Sequence, residues 1–178
     1  MKLTKRWLIK HKACEEGIEA FVNQKETDLI KILKVLIKSD EIEKLEWANW
    51  LIVRFFRNKK QKIQHAIYGA TLILPAFEKQ YPKDLTPRKA IEAAKNYLRY
   101  PNENNKDICH KAAQNIYAAF DNYNNYTTYC ADIADIVADN TCADNIADGY
   151  AYDAIFLVID DKVLIKKILK NGIKLLLE

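Results

Sequence analysis

Three histidines, four cysteines and a run of aspartates are the residues of this chain whose chemistry could go beyond packing. His11 lies three residues before Cys14, and Cys109 adjoins His110, so two Cys and two His are on hand for a tetrahedral zinc site. Sequence neighbours point in different directions on a helix, however, and no Cys-x-x-Cys occurs, so no metal site is expected. The aspartates fit no metal loop, because an EF-hand needs a central glycine and a terminal glutamate. Helical di-metal sites use Glu with Glu-x-x-His, which is missing. No phosphate loop, nucleophile elbow or zinc-protease helix motif appears either. The expectation is a non-enzymatic protein with no catalytic residue and no cofactor.

What remains is binding. Asp132, Asp135 and Asp139 are spaced to share one helical face, and Asp144 and Asp148 continue the Ala-Asp pattern. Small alanines let helices pack closely while the carboxylates build a concentrated negative surface. With Tyr126 and Tyr129 as aromatic anchors, that stripe is a candidate face for a basic protein partner. It reads equally as a solvated exterior, or as a match for the basic half of the chain. Residues 1–100 carry 21 Lys and Arg against 12 Asp and Glu, net +9, whereas residues 101–178 carry 7 against 12, net −5. The second candidate surface is the basic patch Arg54, Arg57, Lys59, Lys60 and Lys62, with two phenylalanines among the cations, which suits nucleic acid. It also falls where a helix C-terminus favours cations without any partner.

The elements that must position these residues are helical. Only four glycines and four prolines punctuate 178 residues, too few for a many-stranded barrel or sandwich. The pattern predicts a single all-α domain over residues 1–178, a compact multi-helix bundle or short helical array of about 8–10 helices. Helices are expected over Thr4–Lys10, Glu15–Asn23, Asp28–Lys38, and from Ser39-Asp40 to about Arg57, the last burying Trp47 and Trp50 together in the core. A fifth runs from Lys62 to Gln80, bent at Pro75 and ended by Tyr81-Pro82. Thr86 is expected to cap the next, with Pro87 at its first position and Tyr97 and Leu98 facing inward. Two helices joined by an Asn-rich turn are expected around Tyr117–Tyr129. Asp160-Asp161 opens a last helix through Asn171-Gly172, with Val163, Leu164, Ile165, Ile168 and Leu169 inward. No stretch reaches the ~18 apolar residues of a membrane span and no secretory leader is apparent, so a cytoplasmic protein with reduced cysteines is expected.

Arg88 and Lys89 stand in a first helical turn, where cations oppose the helix dipole. They call for a carboxylate such as Asp84 or Glu92, or for an external anion. This segment also carries a family pattern: Phe77 and Glu78 end a helix, Pro82 and Asp84 form a loop, and Pro87-Arg88 leads into Ala90-Ile91-Glu92-Ala93. The pattern resembles that of the immunity proteins associated with bacterial polymorphic toxins, which also occur in phage and mobile-element genomes. Ala13-Cys14-Glu15-Glu16-Gly17 with Phe21, and Leu45-Glu46-Trp47-Ala48-Asn49-Trp50-Leu51, are similar to pieces of phage-encoded relatives. The likeness extends over the whole chain and is distinctive in the middle. After Asn105 the relatives are more purely alanine-rich, whereas this chain carries Asp, Asn and Tyr. The resemblance implies an all-helical protein that neutralises a toxin or defence-system effector by occluding it. It makes Pro82, Asp84, Pro87, Arg88 and Glu92 family-motif residues.

Overall fold

Every regular element in the computed structural model, which describes residues 1–117, 129, 130, 132, 149, 151–155 and 161–178, is a helix. The helices are α1 (Lys5–Lys10), α2 (Glu15–Gln24), α3 (Leu29–Leu36), α4 (Ile42–Phe55), α5 (Lys59–Gln80), α6 (Thr86–Arg99), α7 (Glu103–Tyr117) and α8 (Lys162–Leu177). Local chemistry sets most of their starts. Thr4 Oγ1 accepts from the Trp7 N–H, Asp28 from the Lys31 N–H, and Asp161 from the N–H groups of Val163 and Leu164. Each occupies one of the orphan donors that open a helix.

Three boundaries differ from the sequence expectation. Asp40 does not cap α4; it reaches 2.7 Å to Lys166 Nζ on α8. α5 begins at Lys59 because Asn58 Oδ1 takes the Gln61 N–H at 2.9 Å. At α6 the carboxylate of Asp84 acts in place of Thr86, accepting from both the Thr86 N–H at 2.9 Å and its hydroxyl at 2.6 Å.

Two apolar clusters lie along the 22-residue α5. One face of α5, with Ile67, Ala70, Leu74 and Phe77, meets Ala90, Ile91 and Ala94 of α6 and Cys109 and Ala113 of α7. The other cluster joins Leu29 and Leu33 of α3 and Leu45, Ala48 and Ile52 of α4 to Ile165, Ile168 and Leu169 of α8. Ile73 touches both clusters, so α5 ties them together. α8 packs on α4 and α5. It runs through Gly172 to Leu177 instead of stopping there, and Val163 is exposed, not inward.

Gly172 explains its own position. A Cβ there would lie 2.6 Å from Ile52 Cγ2 and 2.9 Å from His65 Cε1, so only glycine lets α8 sit this close to α4 and α5. The close approach outweighs the roughly 1 kcal/mol that glycine costs inside a helix.

Candidate functional site

α2 is the least embedded of the longer helices. It has no buried residue and packs chiefly on α1. Its apolar residues are few, Ile18 and Phe21 are half-buried, and Val22 is exposed, so it cannot fill the space between itself and the broad faces of α3 and α4. A cleft of 530 Å³ is left there. Its walls are Phe21 of α2, Ile32 and Leu36 of α3, and Trp47, Trp50 and Leu51 of α4. This corrects the expectation of a shared core role for the two tryptophans in part: Trp50 packs against the α3–α4–α8 cluster and Trp7 while also lining the cleft, whereas Trp47, half-buried, is a cleft wall outside that cluster. A mostly apolar cavity of this size, with polar groups at its edge, is the general form of a binding site.

The edge is acidic. Glu16 of α2 and Glu43 and Glu46 of α4 line the cleft, against the single cation Lys12. Tyr152 also lines it. Burial, followed by the negative charges of Glu46 and Asp153, raises the Tyr152 phenol above its usual range, so it stays a protonated donor at neutral pH. The Cys14 thiol is exposed at the mouth, beside Gly17. Gly17 keeps α2 slim here, since a Cβ on it would sit 3.2 Å from Cys14 Sγ and 3.9 Å from Trp47 Cε2.

Behind the cleft a buried polar chain fixes Tyr152. Asn49 Nδ2 donates to the Tyr152 carbonyl at 2.8 Å, and Asn49 Oδ1 accepts from His65 Nε2 at 3.2 Å. That acceptor places the His65 proton on Nε2 and leaves Nδ1, which has no partner, facing Gly172. Burial lowers the pKa of His65 to about 4, so the ring is neutral at physiological pH. The ring is fully enclosed and meets Phe56 edge-on, with centroids 5.4 Å apart.

The residues singled out from sequence are distributed differently. In the basic patch Arg54, Arg57 and Lys60 are exposed and Lys59 is half-buried, but Lys62 is only 8% exposed. Lys62 shares the face of α5 that carries His65 and Ala66, so it turns inward and is lost from that surface. Arg54 extends over the Trp50 ring, 5.9 Å from its centroid. Tyr129, expected as an exposed anchor, is 6% exposed and belongs to the α5–α6–α7 core, which removes it from a docking face. Asp132 is half-buried. Tyr126, Asp135, Asp139, Asp144 and Asp148 lie outside the described residues, as does the expected Asn-rich turn.

Of Pro82, Asp84, Pro87, Arg88 and Glu92, three take part in local structure, while Pro82 is exposed in the turn after α5. Pro87 is buried at the start of α6, and Asp84 caps that helix. Arg88 finds an internal carboxylate, but the residue is Glu78: Nε donates to Oε1 and Nη2 to Oε2, both at 2.6 Å. Glu92 stands farther off at 3.9 Å, and Arg88 holds the Glu78 carboxyl below its usual range. The fork closes the loop between α5 and α6. His11 stacks on Trp7 at 3.9 Å, and Cys109 lies in the other apolar cluster, so the imagined zinc ligands are kept apart. Among the described residues no group of three His, Cys, Asp or Glu side chains converges, and no helix is long and apolar enough to cross a membrane.

Sequence reasoning missed the cleft itself. Its signal was the poverty of α2, where a first-turn glycine and only three large apolar residues, Ile18, Phe21 and Val22, faced two tryptophans. Comparison of the chain with family models, curated proteins and solved structures gives no match.

Proposed function

We propose that this chain is a non-enzymatic protein-binding protein of the cytoplasm, an immunity or inhibitor protein that neutralises a toxin or defence-system effector of a phage or mobile element by occlusion. The observation that carries the reading is the cleft between α2 and α4, where Trp47, Trp50 and Phe21 form an apolar floor under the carboxylates of Glu16, Glu43 and Glu46. Indoles presented in a concave site are the commonest energetic anchors of protein recognition, and an acidic rim selects and steers a basic partner. The resemblance around Phe77–Ala93 supports the same class of function.

The test is capture of the tagged chain from its native host after nuclease treatment, alongside a variant carrying Trp47→Ala and Glu46→Lys. A stoichiometric protein retained by the native chain and lost from an equally stable variant supports the reading. A protein held equally by both removes the cleft from the account. Nucleic acid recovered from an untreated sample, with no protein partner, replaces it with the patch at Arg54, Arg57 and Lys60.

A further inference from the structure

We infer that α2 is a hinged wall, and that the cleft it covers admits a cationic amphipathic helix supplied by the partner protein; the second half rests on the protein-binding reading above. The hinge comes from the ends of α2. Lys12 precedes it at φ 58° and Lys25 follows it at φ 59°. Among the described residues these are the non-glycine positions with left-handed backbone, a conformation that residues with a Cβ seldom hold. Both bracket the one longer helix without a buried side chain. An element with so little buried contact opens at lower cost than the rest of the fold. Rotation about two unusual backbone positions would also relieve them.

The occupant follows from the shape and charge of the opposite wall. The α4 wall runs from Glu43 to Leu51, which at 1.5 Å per residue is about 12 Å, or about two turns of a helix. That length seats apolar anchors at i, i+3 or i+4, and i+7. Carboxylates stand on both lips, Glu16 on α2 and Glu43 and Glu46 on α4, and none of the three is in an ion pair among the described residues. Glu41, by contrast, is already engaged by Lys44 at 2.6 Å. A helix that carries lysines or arginines flanking its apolar stripe would meet all three carboxylates while burying its anchors on Trp47 and Phe21.

The experiment uses the full chain with a Leu/Lys amphipathic helical peptide of about four turns and a Leu/Glu peptide of the same pattern. Calorimetry measures affinity, mass mapping follows alkylation of Cys14, and hydrogen exchange compares α2 with α4. The Leu/Lys peptide is expected to bind saturably and to slow Cys14 alkylation. Combined Glu43→Gln and Glu46→Gln replacement should weaken it about tenfold, as one exposed and one half-buried ion pair predict, while the unfolding midpoint falls only slightly, through the loss of the Glu43 charge from the first turn of α4. In the free protein α2 amides should exchange about a hundredfold faster than those of α4, and binding should slow them. Equal protection of α2 and α4 in the free protein overturns the hinge. Equal binding of the Leu/Glu peptide, or undiminished binding to the Gln variant, overturns the cationic helix. Protection of Cys14 that grows with protein concentration alone assigns the cleft to a second copy and overturns it too. If these fail while partner capture still depends on Trp47, the protein-binding function stands and only the hinge or the partner chemistry falls.

Discussion

Replacing Gly172 by alanine sets two known effects against each other at one atom. Within a helix the exchange is intrinsically favourable by about 1 kcal/mol. Here the added Cβ would stand 2.6 Å from Ile52 Cγ2, 2.9 Å from His65 Cε1 and 3.2 Å from His65 Nδ1, all on buried side chains of α4 and α5. Overpacking of this kind costs about 1–3 kcal/mol. Pushing the imidazole aside also threatens its bond to Asn49 Oδ1, and a buried donor left unmatched costs about 1–3 kcal/mol more. Destabilisation wins, with a net of about 2 kcal/mol. Urea unfolding followed by far-ultraviolet circular dichroism should therefore show the midpoint falling by about 1 M for a slope near 2 kcal/mol per M. Gly69→Ala, whose Cβ would meet Ala154 Cβ at 3.0 Å, should fall by less. Gly149→Ala, with nothing within 4 Å, should be neutral or slightly stabilised. A Gly172→Ala protein as stable as the native chain would refute the packing argument for α8.

Burial of His65 makes stability depend on acid. Its folded pKa of about 4 lies below the unfolded value near 6.5, so the unfolded chain binds the extra proton. Stability from this group is complete above pH 6.5 and is lost as pH falls toward 4, amounting to about 3 kcal/mol at 1.36 kcal/mol per pH unit. Denaturant titrations across pH 4–7 should show that slope in the native protein and a flatter one in His65→Leu. Asp84→Ala should cost about 1 kcal/mol by uncapping α6, with Asp84→Asn retaining most of it, as read from thermal midpoints. Arg88→Lys keeps the charge but loses the fork to Glu78, so a double-mutant cycle with Glu78→Gln should return most of the coupling in the arginine background and little in the lysine one.

Helix starts governed by local bonds were legible from residue order, as at Thr4, Asp28 and Asp161, because the capping side chain and its target lie within three residues. The break at Tyr81-Pro82 and the helix opened at Thr86-Pro87 were legible from the local chemistry of proline, although the burial of Pro87 was not. What failed was set by distant contacts. Gly172 carries the composition of a helix stop, yet its role is fixed by Ile52 and His65, more than a hundred residues earlier. Arg88 advertised a missing carboxylate, but Glu78 reaches it across a turn that spacing on one helix does not consider. Trp47 and Trp50 have the right spacing to share a face, and whether that face is core or cleft depends on how little α2 brings to cover it. Caps and periodicity report on one helix at a time, whereas a cavity is a property of three.

The central claim is that the α2–α4 cleft receives the partner, and hydrogen exchange of the chain with and without its captured partner tests it most directly. Protection on binding should concentrate in residues 12–24 and 43–51, the two walls of the cleft. Protection confined to residues 54–62, or to 126–148, with the cleft walls exchanging as in the free chain, would contradict it.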